Sequence, residues 1–261
     1  MAKLTIRSSP SLEMSNPKTI ETVTPCLYEM NRVKEIDLTT RDGLTLEEIF
    51  RDLPKSAPQL HTLSIGNYSS HLAFSIHEEF LYNTNRLQRV KLINCKISWD
   101  SRLLPRLTRL TLEDSLEANT SINQVLHALQ QMPALTELHL KDSIPDDLGN
   151  PATYPVVNLL RLPVLHISSF VGPLTTVLRH ITLPHSAILN LTCREKSTQE
   201  KSTQTGFPKF LSVLDMKFLS SLDIRRLSLR NAIDNTHIGF YLWTTGIIQD
   251  CPSSSLISQS Q

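Results

Sequence analysis

Leu87-Gln88-Arg89-Val90-Lys91-Leu92-Ile93-Asn94-Cys95-Lys96-Ile97 is the stretch that decides the fold. Apolar residues stand at its first, fourth, sixth and eleventh positions, and a cysteine at its ninth. The opening residue has counterparts at Val33, Leu60, Leu107, Leu135 and Leu162, so successive copies lie 27, 27, 20, 28 and 27 residues apart. Val90 and Leu92 are two residues apart, and residues two apart on a strand point to the same side. The same phase gives inward pairs at Ile36 and Leu38, Leu63 and Ile65, Leu110 and Leu112, Leu138 and Leu140, and Leu165 and Ile167. Two further pairs, Leu189 with Leu191 and Leu227 with Leu229, depart from the period. Eight parallel strands are expected. One such unit cannot bury its apolar side alone, so neighbours must stack.

The grammar L-x-x-L-x-L-x-x-C-x-L is that of a leucine-rich repeat. The expected fold is therefore an α/β leucine-rich-repeat solenoid. A curved parallel sheet lines its concave face, with helices and extended returns on the convex one. Residues 1–30 read as a partly ordered lead-in punctuated by Pro10, Pro17 and Pro25, and 31–243 as the solenoid. A polar insertion at about 194–206 carries Lys-Ser-Thr-Gln twice, and 244–261 reads as a frayed polar tail.

Helix signals mark two returns. Thr45 and Glu48 have capping-box spacing, followed by an apolar stripe at Leu46, Ile49, Phe50 and Leu53. Ser121 and Gln124 repeat the device ahead of Ile122, Val125, Leu126 and Leu129. These predict helices over 45–53 and 121–131. Pro58, Pro105 and Pro133 each stand two residues before a repeat opens, where proline favours an extended course. The short return between Trp99 and Pro105 has no room for a full helix, and Trp99 is expected to plug it.

Composition narrows the function classes. A net charge of +1 and 6% aromatic residues argue against nucleic acid as the partner. No stretch approaches the 18 or so uninterrupted apolar residues of a membrane span, and no signal peptide is legible, so an intracellular location, cytoplasmic or nuclear, is expected. The cysteines Cys26, Cys95, Cys193 and Cys251 form no C-x-x-C pair. Phosphate-loop, dinucleotide, nucleophile-elbow and zinc-protease motifs are missing. The chain therefore reads as a non-enzyme without metal or other cofactor. Cys95 is expected to turn inward and bond neighbouring backbone as the chain leaves its strand.

A solenoid offers an extended surface, and its ligands meet the strand face. The candidate protein-binding residues flank the inward pairs of the middle strands: Arg89 and Lys91, then Arg109, Thr111 and Glu113. Glu137, His139, Lys141 and His166 continue the series. Arg89, Lys91, Arg109, His139 and Lys141 read as a basic block edged by Glu113 and Glu137. Such a block suits an acidic segment of a protein partner; a solvated face with balanced charges is the competing reading.

The segments Leu53–Leu63, Leu92–Ser101, Leu129–Leu140 and His185–Cys193 resemble the leucine-rich half of fungal F-box proteins, especially those of mushroom-forming fungi. The resemblance implies a substrate receptor of an SCF-type ubiquitin ligase, in which an F-box docks on the ligase adaptor and the repeats choose the protein substrate. No F-box-like segment stands before Val33, so adaptor docking is expected only if an F-box is supplied elsewhere. A free-standing scaffold or decoy without a ubiquitin link, or a truncated fragment, are the alternatives.

Overall fold

The structure is a computed structural model of the chain. It describes residues 4–7, 17–41, 43–51, 56–69, 74–76, 83–117, 119–146, 149–194, 224–231 and 237–244. The insertion from residue 195, the tail from residue 245 and Leu53 lie outside them.

Ten strands form one sheet. In chain order they are β1 (Leu4–Arg7), β2 (Val33–Thr40), β3 (Thr62–Asn67), β4 (Arg89–Ile93) and β5 (Arg109–Glu113). Then come β6 (Glu137–Lys141), β7 (Val164–Phe170), β8 (Ile188–Arg194), β9 (Ile224–Asn231) and β10 (His237–Thr244). Strands β1 to β8 follow one another across the sheet, all parallel. The alternation expected from the repeat holds on seven of them. The inward pairs of β2 to β8 are each 2% exposed or less, and they share one core.

The same turn precedes most of these strands. Backbone N–H groups of Val33, Leu60, Leu87, Leu107, Leu135, Leu162 and Ala187 each donate to the carbonyl three residues back, at 2.9–3.3 Å. All seven residues are buried, so each anchors the entry to its strand from within. Pro58, Pro105 and Pro133 lie in three of these turns.

The exits are also regular. Thr40, Asn67, Cys95, Ser115, Ser143, Ser169 and Cys193 form a buried row of small side chains just past the inward pairs. Before Cys95, Ser115 and Ser143 an extra residue takes the left-handed region: Asn94 (φ 49°), Asp114 (φ 49°) and Asp142 (φ 51°). Asn and Asp tolerate that region better than most residues. Their N–H groups reach the next strand, bonding the carbonyls of Glu113 (2.7 Å), Lys141 (2.9 Å) and Ser168 (2.9 Å). Cys95 Sγ then bonds the Ile93 and Ile65 carbonyls at 3.2 and 3.7 Å, the backbone role expected of it. Ser115 Oγ does the same to Glu113 (2.8 Å) and Leu92 (3.2 Å), and Ser115 N–H donates to Ser143 Oγ at 3.2 Å. Burial pushes the Cys95 thiol up to about 12, although hydrogen bonds to Asn67 and Ile93 pull it down. The Cys193 thiol also rises to about 12 through burial.

Four helices pack against the core: α1 (Pro17–Tyr28), α2 (Gly43–Arg51), α3 (Ile122–Gln130) and α4 (Val171–His180). Helix α3 begins where its sequence predicts. Ser121 Oγ accepts from Gln124 N–H at 3.3 Å, Gln124 Oε1 accepts from Ser121 N–H at 2.9 Å, and the apolar stripe is fully buried. Helix α2 corrects its expectation: Gly43 and Leu44 are already helical, so Thr45 stands inside the helix and not at its cap. Only two residues separate β2 from α2. Trp99 is buried in the short return, as expected.

The far end differs from the expected eighth parallel repeat. Strands β9 and β10 form an antiparallel hairpin, and β10 pairs with β8. Five residues separate the two strands; that suffices for a hairpin, whereas a parallel crossover takes a dozen or more. Leu227 and Leu229 thus lie on an antiparallel edge strand. At the near end Leu4–Arg7 joins the sheet, and α1 runs through Pro25.

Candidate functional site

Because alternate residues of β2 to β8 enter the core, those between them form the opposite, accessible face. Strand register fixes how they meet. Arg89, Arg109 and Glu137 lie in step across β4, β5 and β6. Lys91, Thr111, His139 and His166 form the next row, which continues to Asn190 on β8. Glu113 and Lys141 belong to the third row, between Ile93 and Ser168. All nine candidate residues therefore share one contiguous face, and none is buried.

Two cations of the basic block are paired with the two glutamates that edge it. Arg109 Nε lies 3.5 Å from Glu137 Oε2, and Lys141 Nζ lies 3.5 Å from Glu113 Oε2. Each pair joins residues directly opposite each other on β5 and β6. Pairs this exposed contribute roughly 0–1 kcal/mol to stability. Their larger effect here is to cancel two of the four permanent cations. Arg89 and Lys91 are exposed and make no ion pair among the described residues. They alternate on β4, so both project from the same side, about 7 Å apart along the strand. Toward β1 the face carries a further closed pair, Arg7 Nη2 to Glu35 at 3.0 Å.

A second feature lies on β6 and β7. His139 and His166 are directly in register, with ring centroids 5.4 Å apart and planes 41° apart. Burial holds the His139 ring below its usual titration range; Lys141 and Lys91 act in the same direction, and Glu113 and Glu137 oppose them. Burial also lowers His166, with His139 adding to the effect and Glu137 opposing it. Both imidazoles are thus neutral near pH 7, each with one ring nitrogen free to donate and one to accept. They border an open depression of about 430 Å³ that extends over Ser168, Asn190 and Thr192. Its rim is closed by Asp142 and Arg194, which form an ion pair, and Arg194 also covers the Phe170 ring at 5.1 Å.

The sequence pattern alone does not show the ion pairing or the histidine contact, because both depend on the register between strands. No cluster of three or more His, Cys, Asp or Glu that could hold a metal occurs among the described residues. No helix among them is long and apolar enough to cross a membrane. Comparison with protein-family models, curated proteins and solved structures gives no match.

Proposed function

We propose that the protein is a non-enzymatic recognition module of the leucine-rich-repeat type, whose accessible sheet face binds an acidic segment of a protein partner. The observation that carries this reading is the exposed cation pair Arg89 and Lys91, without an ion pair among the described residues, on a face whose other charges are largely matched. A face evolved only for solubility has no need to concentrate its unmatched charge at one place. A sheet face studded with polar side chains also presents hydrogen-bonding groups in regular rows, which suits an extended segment better than a small molecule. The recurring strand-entry turn and the buried exit row support the repeat reading.

The resemblance of Leu53–Leu63, Leu92–Ser101, Leu129–Leu140 and His185–Cys193 to fungal F-box proteins extends this to a substrate receptor of a ubiquitin ligase, working in the cytoplasm or nucleus. Adaptor docking would then need an F-box outside the segments discussed above.

A synthetic array of acidic, neutral and basic peptides, probed with the parent protein and the Arg89→Glu/Lys91→Glu variant, tests the binding reading. The parent should retain acidic sequences, less so as salt rises, because exposed charges are screened beyond about 8 Å at physiological ionic strength. Charge reversal should slow association and weaken retention without disturbing the fold. No preference for acidic peptides, or a preference untouched by reversal, would make the face merely solvated. Ligase subunits co-purifying with the protein from its source would separate a ligase receptor from a free-standing scaffold.

A further inference from the structure

The accessible face carries two separate features in one line, and their spacing says more about the ligand than either does alone. Lys91, Thr111, His139 and His166 occupy a single register row across β4, β5, β6 and β7. Adjacent strands are about 4.8 Å apart, so roughly 10 Å separates the Lys91 position from that of His139, and roughly 14 Å from that of His166. An extended peptide advances about 3.4 Å per residue, so three to four residues cover this distance. Between the two features stands Thr111, short and uncharged, which leaves the row open to a crossing chain.

We infer that the partner segment crosses the strands along this row with two acidic groups three to four residues apart, one at Arg89 and Lys91 and the other at the His139–His166 pair, and that the second contact takes up a proton. This rests on the acidic-segment reading of the face. The chemistry follows from the side chains. Arg and Lys keep their charge at any ordinary pH and meet a carboxylate directly. Two neutral imidazoles 5.4 Å apart can offer a carboxylate only neutral donors, whereas an imidazolium offers a charge-assisted bond.

The surroundings decide whether protonation is available. The free pair faces Glu113 and Glu137, which favour the charged form, and Lys91 and Lys141, which oppose it. Lys141 is partly neutralised by Glu113, and Arg194, across the depression, by Asp142. Asn190 and Ser168 add neutral polar groups to the depression. The acidic and basic neighbours nearly offset one another, leaving burial and the ring–ring contact to keep the pair neutral. A ligand carboxylate arriving between the rings adds the missing negative charge and pulls a proton onto the pair. Binding and protonation then strengthen each other by the same factor, as linkage requires.

The test uses acetylated, amidated glycine-rich peptides bearing two aspartates with three residues between them, or only one aspartate. An exposed aspartate titrates near pH 3.9, so it stays ionised between about pH 5.5 and 7.5 and any change in affinity over that window belongs to the protein. The two-aspartate peptide should bind several-fold more tightly at pH 5.5 than at pH 7.5, up to about sixfold for a one-unit rise of a single coupled group across this window. The one-aspartate peptide should bind less tightly. The His139→Gln/His166→Gln variant should still bind, with salt dependence intact but pH dependence lost. Both side chains stand on the accessible face, so the variant's fold can be checked by an unchanged urea midpoint at pH 7.5. If the parent binds with the same affinity at both pH values, or if the glutamine variant keeps the pH dependence, the proton-coupled contact is wrong and the acidic-segment reading survives. If neither peptide binds at either pH, the acidic-segment reading fails and this inference fails with it.

Discussion

Strand β5 has two chemistries one residue apart. Leu110 and Leu112 are fully buried among side chains of neighbouring strands, while Arg109, Thr111 and Glu113 lie on the accessible side. On the buried side each position is fixed by shape, and its partners are the equivalent residues of β4 and β6. On the accessible side each position is fixed by nothing but strand register, and its neighbours are charges that match or fail to match. The contrast shows where change is tolerated. The apolar side determines that the chain folds, and the other side can vary its charges almost freely, which is what a surface adapted to a particular partner requires.

The largest effect should come from breaking the buried side. Leu110→Ala should destabilise the protein by roughly 2–5 kcal/mol, the range for large-to-small changes in a packed core. Thr111→Ala should stay within about 0.5 kcal/mol of the parent, as surface changes usually do. Urea denaturation of both variants checks the pair; equal losses would mean that the two sides have been assigned the wrong way round.

A smaller effect should come from the strand exits. Ser143→Ala removes the acceptor for the buried Ser115 N–H, leaving a donor without a partner. The cost should be roughly 1–3 kcal/mol. Ser143→Thr retains the hydroxyl and, if the added methyl group can be housed, should recover part of it. A Ser143→Ala protein as stable as the parent would show that the row of small side chains contributes packing alone.

The smallest effect belongs to the accessible side. His139 and His166 titrate below the usual 6.5 in the folded protein, so the unfolded chain takes up protons first as pH falls. Their contribution is complete above about pH 6.5 and diminishes as pH falls through the folded-state values. His139→Gln/His166→Gln should therefore flatten the loss of stability between about pH 7 and 5, which urea midpoints along that range would reveal. An unchanged slope would mean that the pair is as well solvated folded as unfolded.

Much of the buried side was legible in the sequence because burial imposes a period. Seven inward pairs, the Ser121 cap and the inward turn of Cys95 all follow from residue type and spacing. Ser115 and Ser143 were missed, although they occupy the Cys95 position in the next two copies, because serine there is a weaker signal than asparagine or cysteine. Helix α4 is less legible: Gly172 and Pro173 are unfavourable in a helix interior, yet proline is tolerated in a first turn, and Leu174, Val177 and Leu178 carry the helical spacing. The hairpin could have been read from the alternating Leu227-Ser228-Leu229 run and the apolar, aromatic run Ile238–Trp243, because only five residues separate their strands. The accessible side was legible only as a set of residues. Whether Arg109 meets Glu137 or Lys141 meets Glu113 depends on the register of strands 28 residues apart in sequence, which no local pattern encodes.

Thiol labelling of a Thr111→Cys variant tests the two-sided sheet most directly. A water-soluble maleimide is added without denaturant, and the modified peptides are identified by mass spectrometry. Position 111 should react at the rate of an accessible thiol. Cys95 should remain unmodified until urea unfolds the chain, since its thiol is fully buried and held protonated, pushed up to about 12. Protection of position 111, or labelling of Cys95 at a comparable rate in the native protein, would contradict the account.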